Sequence, residues 1–329
     1  MTAIEAVRNL ASAMTSPELY DWNPESHRKA GQPVLVHDET LRDGLQNPSV
    51  KDPDLDTKIE ILQLLEAVGV DSVSVGLPAA GPRAVEQVEV LCREIVSAGM
   101  RIRPNCAART VPSDIEPIVD ISQKTGLPIE VTTFIGSSPI RQLTEHWSLD
   151  LIRERSAAAI DFAVAHDLPV TYVTEDTTRS SPKALRDLFT MAIEHGASRL
   201  CLCDTVGHAT PWGVAALIRF SREVADSVKP GIGIDFHGHA DRGLALANTL
   251  AAFEEGADRL HGCVLGVGER VGNAPIELIL RNLDRIGWGR PRDLSRLDEL
   301  CRRVAEAAVF PLPPQCSEPA RDLVHGPAF

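Results

Sequence analysis

Eight short apolar runs punctuate the chain, most of them followed by a stretch of helical spacing, and no other feature restricts the fold as much. The runs are Val34–His37, Ser72–Val75, Arg101–Pro104, Ile129–Phe134, Val170–Thr174, Arg199–Cys203, Gly231–Phe236 and Arg259–Val264. A short run that is apolar on both faces belongs in a sheet covered on both sides, which is how parallel sheets are built. Between the runs, apolar residues recur three and four apart in LDTKIEILQLLEAVG, AVEQVEVLCREIVSAG, LIRERSAAAIDFAVAHD, PKALRDLFTMAIEHGA, TPWGVAALIRFSREVAD and GLALANTLAAFEEGA. Several of these end in Gly before the next run, as a helix C-cap does. Eight strand–helix units in about 250 residues predict an α/β fold, a closed (β/α)8 TIM barrel. An open doubly wound sheet is the competing reading, but no G-x-G-x-x-G follows the first run.

Residues 31–288 are assigned to the barrel. Residues 1–30 read as an N-terminal extension with a weak helix at Ile4–Met14. Residues 289–329 read as a linker, one amphipathic helix in LSRLDELCRRVAEAA, and a proline-rich arm, FPLPPQCSEP. A net charge of −13 argues against nucleic acid or an anionic membrane as the main partner. No apolar stretch is long enough to span a bilayer, and no basic start with an apolar run marks a secretory leader. Seven cysteines, an odd number without C-x-x-C, fit free thiols in a reducing cytoplasm. Cys201 and Cys203 share one face of a strand and read as small core side chains, with a soft-metal site as the alternative.

Chemistry in such a barrel collects at the C-terminal ends of the strands. Polar residues fall there repeatedly: Arg42 and Asp43 after the first run, Glu175 and Asp176 after the fifth, Asp204 and Thr205 after the sixth. The seventh ends in FHGHAD, with His237 and His239, and the eighth is followed by GVGERVGN, with Glu269, Arg270 and Asn273. Histidines two apart on a strand project to one side, so both imidazoles can serve one metal ion, with Zn2+, Mn2+ or Mg2+ as the candidates. Such an ion would polarise a carbonyl. Arg42 suits two-point capture of a carboxylate or oxyanion.

Taken together these motifs resemble the DRE-TIM metallolyase family, over about residues 33–325. HDETLRDGLQ is similar to the family's D-T-T-L-R-D-G-E-Q. The segment from Asp235 through Glu277 is similar to the H-x-H-N-D-x-G-x-A-x-A-N and G-x-G-E-R-x-G-N motifs of the isopropylmalate, homocitrate and citramalate synthases. VGLPAAGP, FIGSSPI and CDTVGHATP match as well. The resemblance implies a metal site of Asp43, His237, His239 and Asn273. It places Arg42 and Thr205 on a 2-oxo acid, with Thr132 facing the same substrate, and counts Arg42, Glu175, Thr205 and Glu269 as catalytic candidates. The implied reaction is a Claisen-type condensation with acetyl-CoA as co-substrate, in which an enolate attacks the 2-oxo acid and thioester hydrolysis releases a 2-alkylmalate-type product and CoA.

Two departures qualify that expectation. Thr132 stands where the synthases often carry a histidine in His-Thr-Phe-Ile. The tail VHGPAF, 324–329, is similar to the V-G-x-x-A-F that in the synthases leads into H-E-S-G-I-H, whose histidine is implicated in deprotonating acetyl-CoA. The expectation is a homodimer or a hetero-oligomer, with a second chain completing a split synthase, or else a cut fragment. A lyase like hydroxymethylglutaryl-CoA lyase is the first alternative, disfavoured because GVGERVGN holds no cysteine and Cys263 lies too early. A catalytically incomplete binding or regulatory subunit is the second.

Overall fold

The computed structural model describes residues 33–316 except 288, and the expected helix at Ile4–Met14 and the tail VHGPAF lie outside them. Eight parallel strands close into one barrel in sequence order. They are β1 (Leu35–Asp38), β2 (Ser72–Ser74), β3 (Arg103–Arg109), β4 (Glu130–Gly136), β5 (Val170–Glu175), β6 (Arg199–Asp204), β7 (Gly233–Gly238) and β8 (Arg259–Gly262). Pairing of β1 with β8, Leu35 against Arg259 and Asp38 against Gly262, completes the ring.

Helices α1 (Leu55–Ala67), α2 (Pro82–Ser97), α3 (Pro112–Thr125), α4 (Pro139–Glu145), α5 (Leu149–Ala165), α6 (Pro182–Glu194), α7 (Pro211–Val228), α8 (Ala245–Glu254), α9 (Ile276–Arg285) and α10 (Leu297–Ala308) surround it. Their starts are written locally. Pro opens α2, α3, α6 and α7, where its missing N–H costs nothing. The side chains of Asp54, Ser148, Ser181 and Thr210 accept N–H bonds at the first turns of α1, α5, α6 and α7. The apolar core lies between strands and helices, in residues such as Val36, Ile61, Leu65, Ile118, Leu188, Ile218 and Phe253.

The expected strands match within a few residues except the third. β3 runs on to Arg109, because the barrel interior accepts Asn105 and Ala107 where an apolar pattern breaks off. The segment PSDIEPIVDISQKT forms α3, which the sequence pattern had not marked; Pro117 interrupts its helical reading. The interior facing the axis is not the usual packing of branched aliphatics. It carries His37, Asn105, Glu130, Asp235, Arg259 and His261, all but Glu130 fully buried.

Candidate active site

A cavity of about 230 Å³ opens at the C-terminal ends of the strands. Glu39, Arg42 and Asp43 reach it from the end of β1, Thr132 and Phe134 from β4, Val173 and Glu175 from β5, Cys201, Cys203 and Thr205 from β6, His237 and His239 from β7, and Glu269 from the loop after β8. Period-two alternation does the sorting: residues two apart on one strand face the same side. Cys201 and Cys203 therefore face the cavity with Val173 and Phe134, in an apolar cluster apart from the main core.

Asp43, His237 and His239 are buried and offer ligand atoms within 4.8 Å of one another. The two imidazole Nε2 atoms stand 3.2 Å apart. Asn273 arrives from the far side of the eighth loop, where an antiparallel bridge pairs it with His239. Gly268 and Gly272 make that return possible. Both have φ in the left-handed range, and a Cβ on either would run into Asn273 or Gly266. The Asn273 amide then donates to Asp43. Its Oδ1 and the Nδ1 of His239 are buried without a partner. Two imidazoles, a carboxylate and an orphaned amide oxygen are a donor set that fits a divalent ion.

The charges support this. Burial first, and then His239, lowers the His237 pKa to about 3, and burial lowers that of His239, so both rings are neutral and able to ligate near pH 7. Burial works to raise the Asp43 carboxyl, but Arg42 and the two imidazoles outweigh it and hold the pKa below its ordinary value.

Arg42 is held in place by carboxylates. Its Nε donates to Glu39 Oε2 at 2.8 Å, Nη2 lies 2.7 Å from the same oxygen, and Nη1 donates to Asp43 Oδ1 at 3.2 Å. Thr205 accepts the Asp176 N–H at 2.8 Å, which leaves its own O–H to donate. Thr132 Oγ1 is buried and unpartnered. Glu175 lies 3.4 Å from Arg141, and burial raises its pKa. Glu269 is half-exposed at the rim, 3.5 Å from Arg270. All nine residues that the resemblance marks for metal, substrate or catalysis thus meet in or beside one cavity.

Three features escaped the sequence reading. Glu39 lies in the cavity floor and grips Arg42. His37 and His261 flank it, at 3.2 and 3.8 Å, and form a second His–Glu–His group. That group is largely closed on itself, since His37 Nε2 also meets Asn105 Nδ2 at 3.1 Å and Glu39 is bound to Arg42. Cys263, set aside as too early in the chain, accepts from Asn273 Nδ2 at 3.2 Å. It is fully buried, and burial pushes its thiol well above the usual range, so it is poorly suited to act as an acid or nucleophile.

Residues 34–304 match the HMGL-like family. A homocitrate synthase of Methanopyrus kandleri, AksA, is 34% identical over 283 residues, covering 85% of this chain and 68% of that protein. A 2-isopropylmalate synthase of Heliobacterium modesticaldum is 35% identical over 252 residues, covering 76% of this chain and 48% of the relative. The chain thus spans about half the length of several curated relatives it matches. Among solved structures, the HMG-CoA lyase of Bacillus subtilis superposes with a TM-score of 0.71 at 19% identity, over 90% of this chain and 99% of that one. At that identity the likeness is one of fold.

Proposed function

The chain belongs to the HMGL-like family, and from that premise we propose that it catalyses a metal-dependent Claisen-type condensation of acetyl-CoA with a 2-oxo acid. One water is consumed in hydrolysing the thioester, and a 2-alkylmalate-type product and CoA are released. The observation that carries this reading is the meeting of Asp43, His237, His239 and the orphaned Asn273 Oδ1 beside the Arg42 guanidinium. Those four residues would hold a divalent ion, Zn2+, Mn2+ or Mg2+, which when bound supplies Lewis-acid polarisation of the ketone. Arg42 keeps one N–H on each terminal nitrogen after its bonds to Glu39 and Asp43, enough to grip one carboxylate or a developing alkoxide. Thr205 donates its free hydroxyl to the same acid. Glu175, its pKa raised by burial, is the cavity carboxylate best placed to hold a proton at its Oε atoms. Seven free, buried thiols suit a reducing cytoplasm.

Cys263 beside Asn273 favours a second reading, carbon–carbon cleavage of a 3-hydroxy thioester. Its complete burial and raised pKa weigh against a role in protonation. The deciding experiment is thiol-reagent detection of CoA released from acetyl-CoA, with a panel of 2-oxo acids and Mn2+, Mg2+ or Zn2+. Metal-dependent CoA release with at least one acid is expected. A metal-loaded chain that instead splits a 3-hydroxy-3-methyl thioester, and condenses nothing, would replace the synthase reading with the lyase one.

A further inference from the structure

Building on the proposed condensation, we infer that the 2-oxo acid is a monocarboxylate with a compact, uncharged side chain, and that Glu39 is the residue that turns away a second carboxylate. The cavity carries four carboxylates, those of Glu39, Asp43, Glu175 and Glu269, and among the described lining residues one permanent cation, Arg42. Arg42 has donors left for one carboxylate only, because Glu39 and Asp43 occupy the rest. The neighbouring arginines already face carboxylates, although the buried Nε of Arg141 has no hydrogen-bond partner. Arg141 lies 3.3 Å from Glu145 and 3.4 Å from Glu175, and Arg270 donates to Asp241 at 2.8 Å.

Beyond Arg42 the cavity lining offers a second carboxylate no counter-charge, only neutral donors such as the hydroxyls of Thr132 and Thr205. On one side stand Leu77, Ala107, Phe134 and Val173, an apolar wall. In the floor Glu39 Oε1 lies 3.8 Å from His261 Nδ1, while His261 Nε2 lies 3.2 Å from Asp235. His261 thus sits between the carboxylates of Glu39 and Asp235. An acid with a carboxylate at each end would bring the second one to Glu39, to hydrocarbon or to a neutral hydroxyl, and a buried charge is unfavourable at each without a counter-charge. A cavity of about 230 Å³ suits a small acid of either kind, so charge and not size makes the choice.

The discrimination is a repulsive element built into the floor. It is tested by comparing kcat/KM for CoA release with pyruvate, 2-oxobutyrate and 2-oxoisovalerate against oxaloacetate and 2-oxoglutarate. Calorimetric titration of each acid into the Mn2+-loaded protein without acetyl-CoA gives a second readout that needs no chemistry. Monocarboxylates are expected to lead the dicarboxylates by about 100-fold or more. Glu39→Gln, which removes the charge and keeps the shape, is expected to narrow that ratio by about tenfold, whatever it does to the absolute rates. A preference for 2-oxoglutarate, with condensation intact, overturns the inference and leaves the reaction standing. An unchanged ratio in a folded Glu39→Gln protein removes Glu39 from selectivity. No binding or turnover of any 2-oxo acid overturns the condensation itself, and the inference with it.

Discussion

The barrel interior holds two polar layers, one near its floor and one at its mouth, and they are built differently. Near the floor Arg259, 2% exposed, donates to Asp235 at 2.7 Å, to Glu130 at 2.6 Å and to Thr171 at 3.2 Å. Arg199 donates to the other Asp235 oxygen at 2.8 Å. The main charged groups there bond one another. At the mouth, His239 Nδ1, Asn273 Oδ1 and Thr132 Oγ1 are equally buried and have no partner. Both layers interrupt an interior that barrels usually fill with aliphatics. A charge cluster satisfied within itself fixes structure; one with orphaned lone pairs is completed by something outside the chain. His261 joins the two, with Nε2 toward Asp235 and an unpartnered Nδ1 toward Glu39.

The contrast predicts that folding stability depends on the floor, and chemistry on the mouth. The largest expected loss of stability is at Arg259→Met, which leaves Asp235 and Glu130 buried with less of their counter-charge. About 3–5 kcal/mol should be lost in urea unfolding, and a change below about 1 kcal/mol would mean the floor network is not structural. Next comes acid. Burial first, and then His261, lowers the His37 pKa from 6.5 to about 4. Between those values the unfolded chain binds the proton and the native chain does not, so stability falls as pH drops from 6.5 toward 4. His37 alone accounts for up to about 3 kcal/mol of that fall. A flat denaturation midpoint across this window would contradict a buried neutral imidazole.

At the mouth the expected effect on folding is smaller. Asp43→Ala should cost about 1–2 kcal/mol, because it removes the acceptor of Arg42 and Asn273 without opening the core. Arg42→Lys should change stability least, yet cut kcat/KM by about 100-fold, since an ammonium cannot present two parallel N–H groups. Near-wild-type turnover in that protein would remove Arg42 from the mechanism.

Much of the mouth was legible in the sequence. H-x-H at the end of a strand puts His237 and His239 on one side by backbone geometry alone, and Asp43, Arg42, Glu175 and Thr205 fall at strand ends that the apolar runs mark. Asn273 came from resemblance, since only the folded glycine loop explains how it returns to His239. The floor was nearly invisible. Arg259 and Glu130 sit at or beside the starts of apolar runs, where charge reads as a strand boundary, Asp235 lies one residue from the end of another, and only barrel closure brings them together. Glu39 was hidden in the same way. The alternation His37, Glu39 could have marked it, because both must face the side that Val36 and Asp38 do not.

The most direct test of the central claim, that the orphaned donors at the mouth hold a divalent ion, is the metal stoichiometry of the chain after chelation and equilibrium dialysis against Mn2+. The account predicts one ion per wild-type chain and none in Asp43→Ala or His237→Ala, both still folded by circular dichroism. Equal uptake by wild type and both variants would place the ion elsewhere, and the His37–Glu39–His261 group would then be the next place to look.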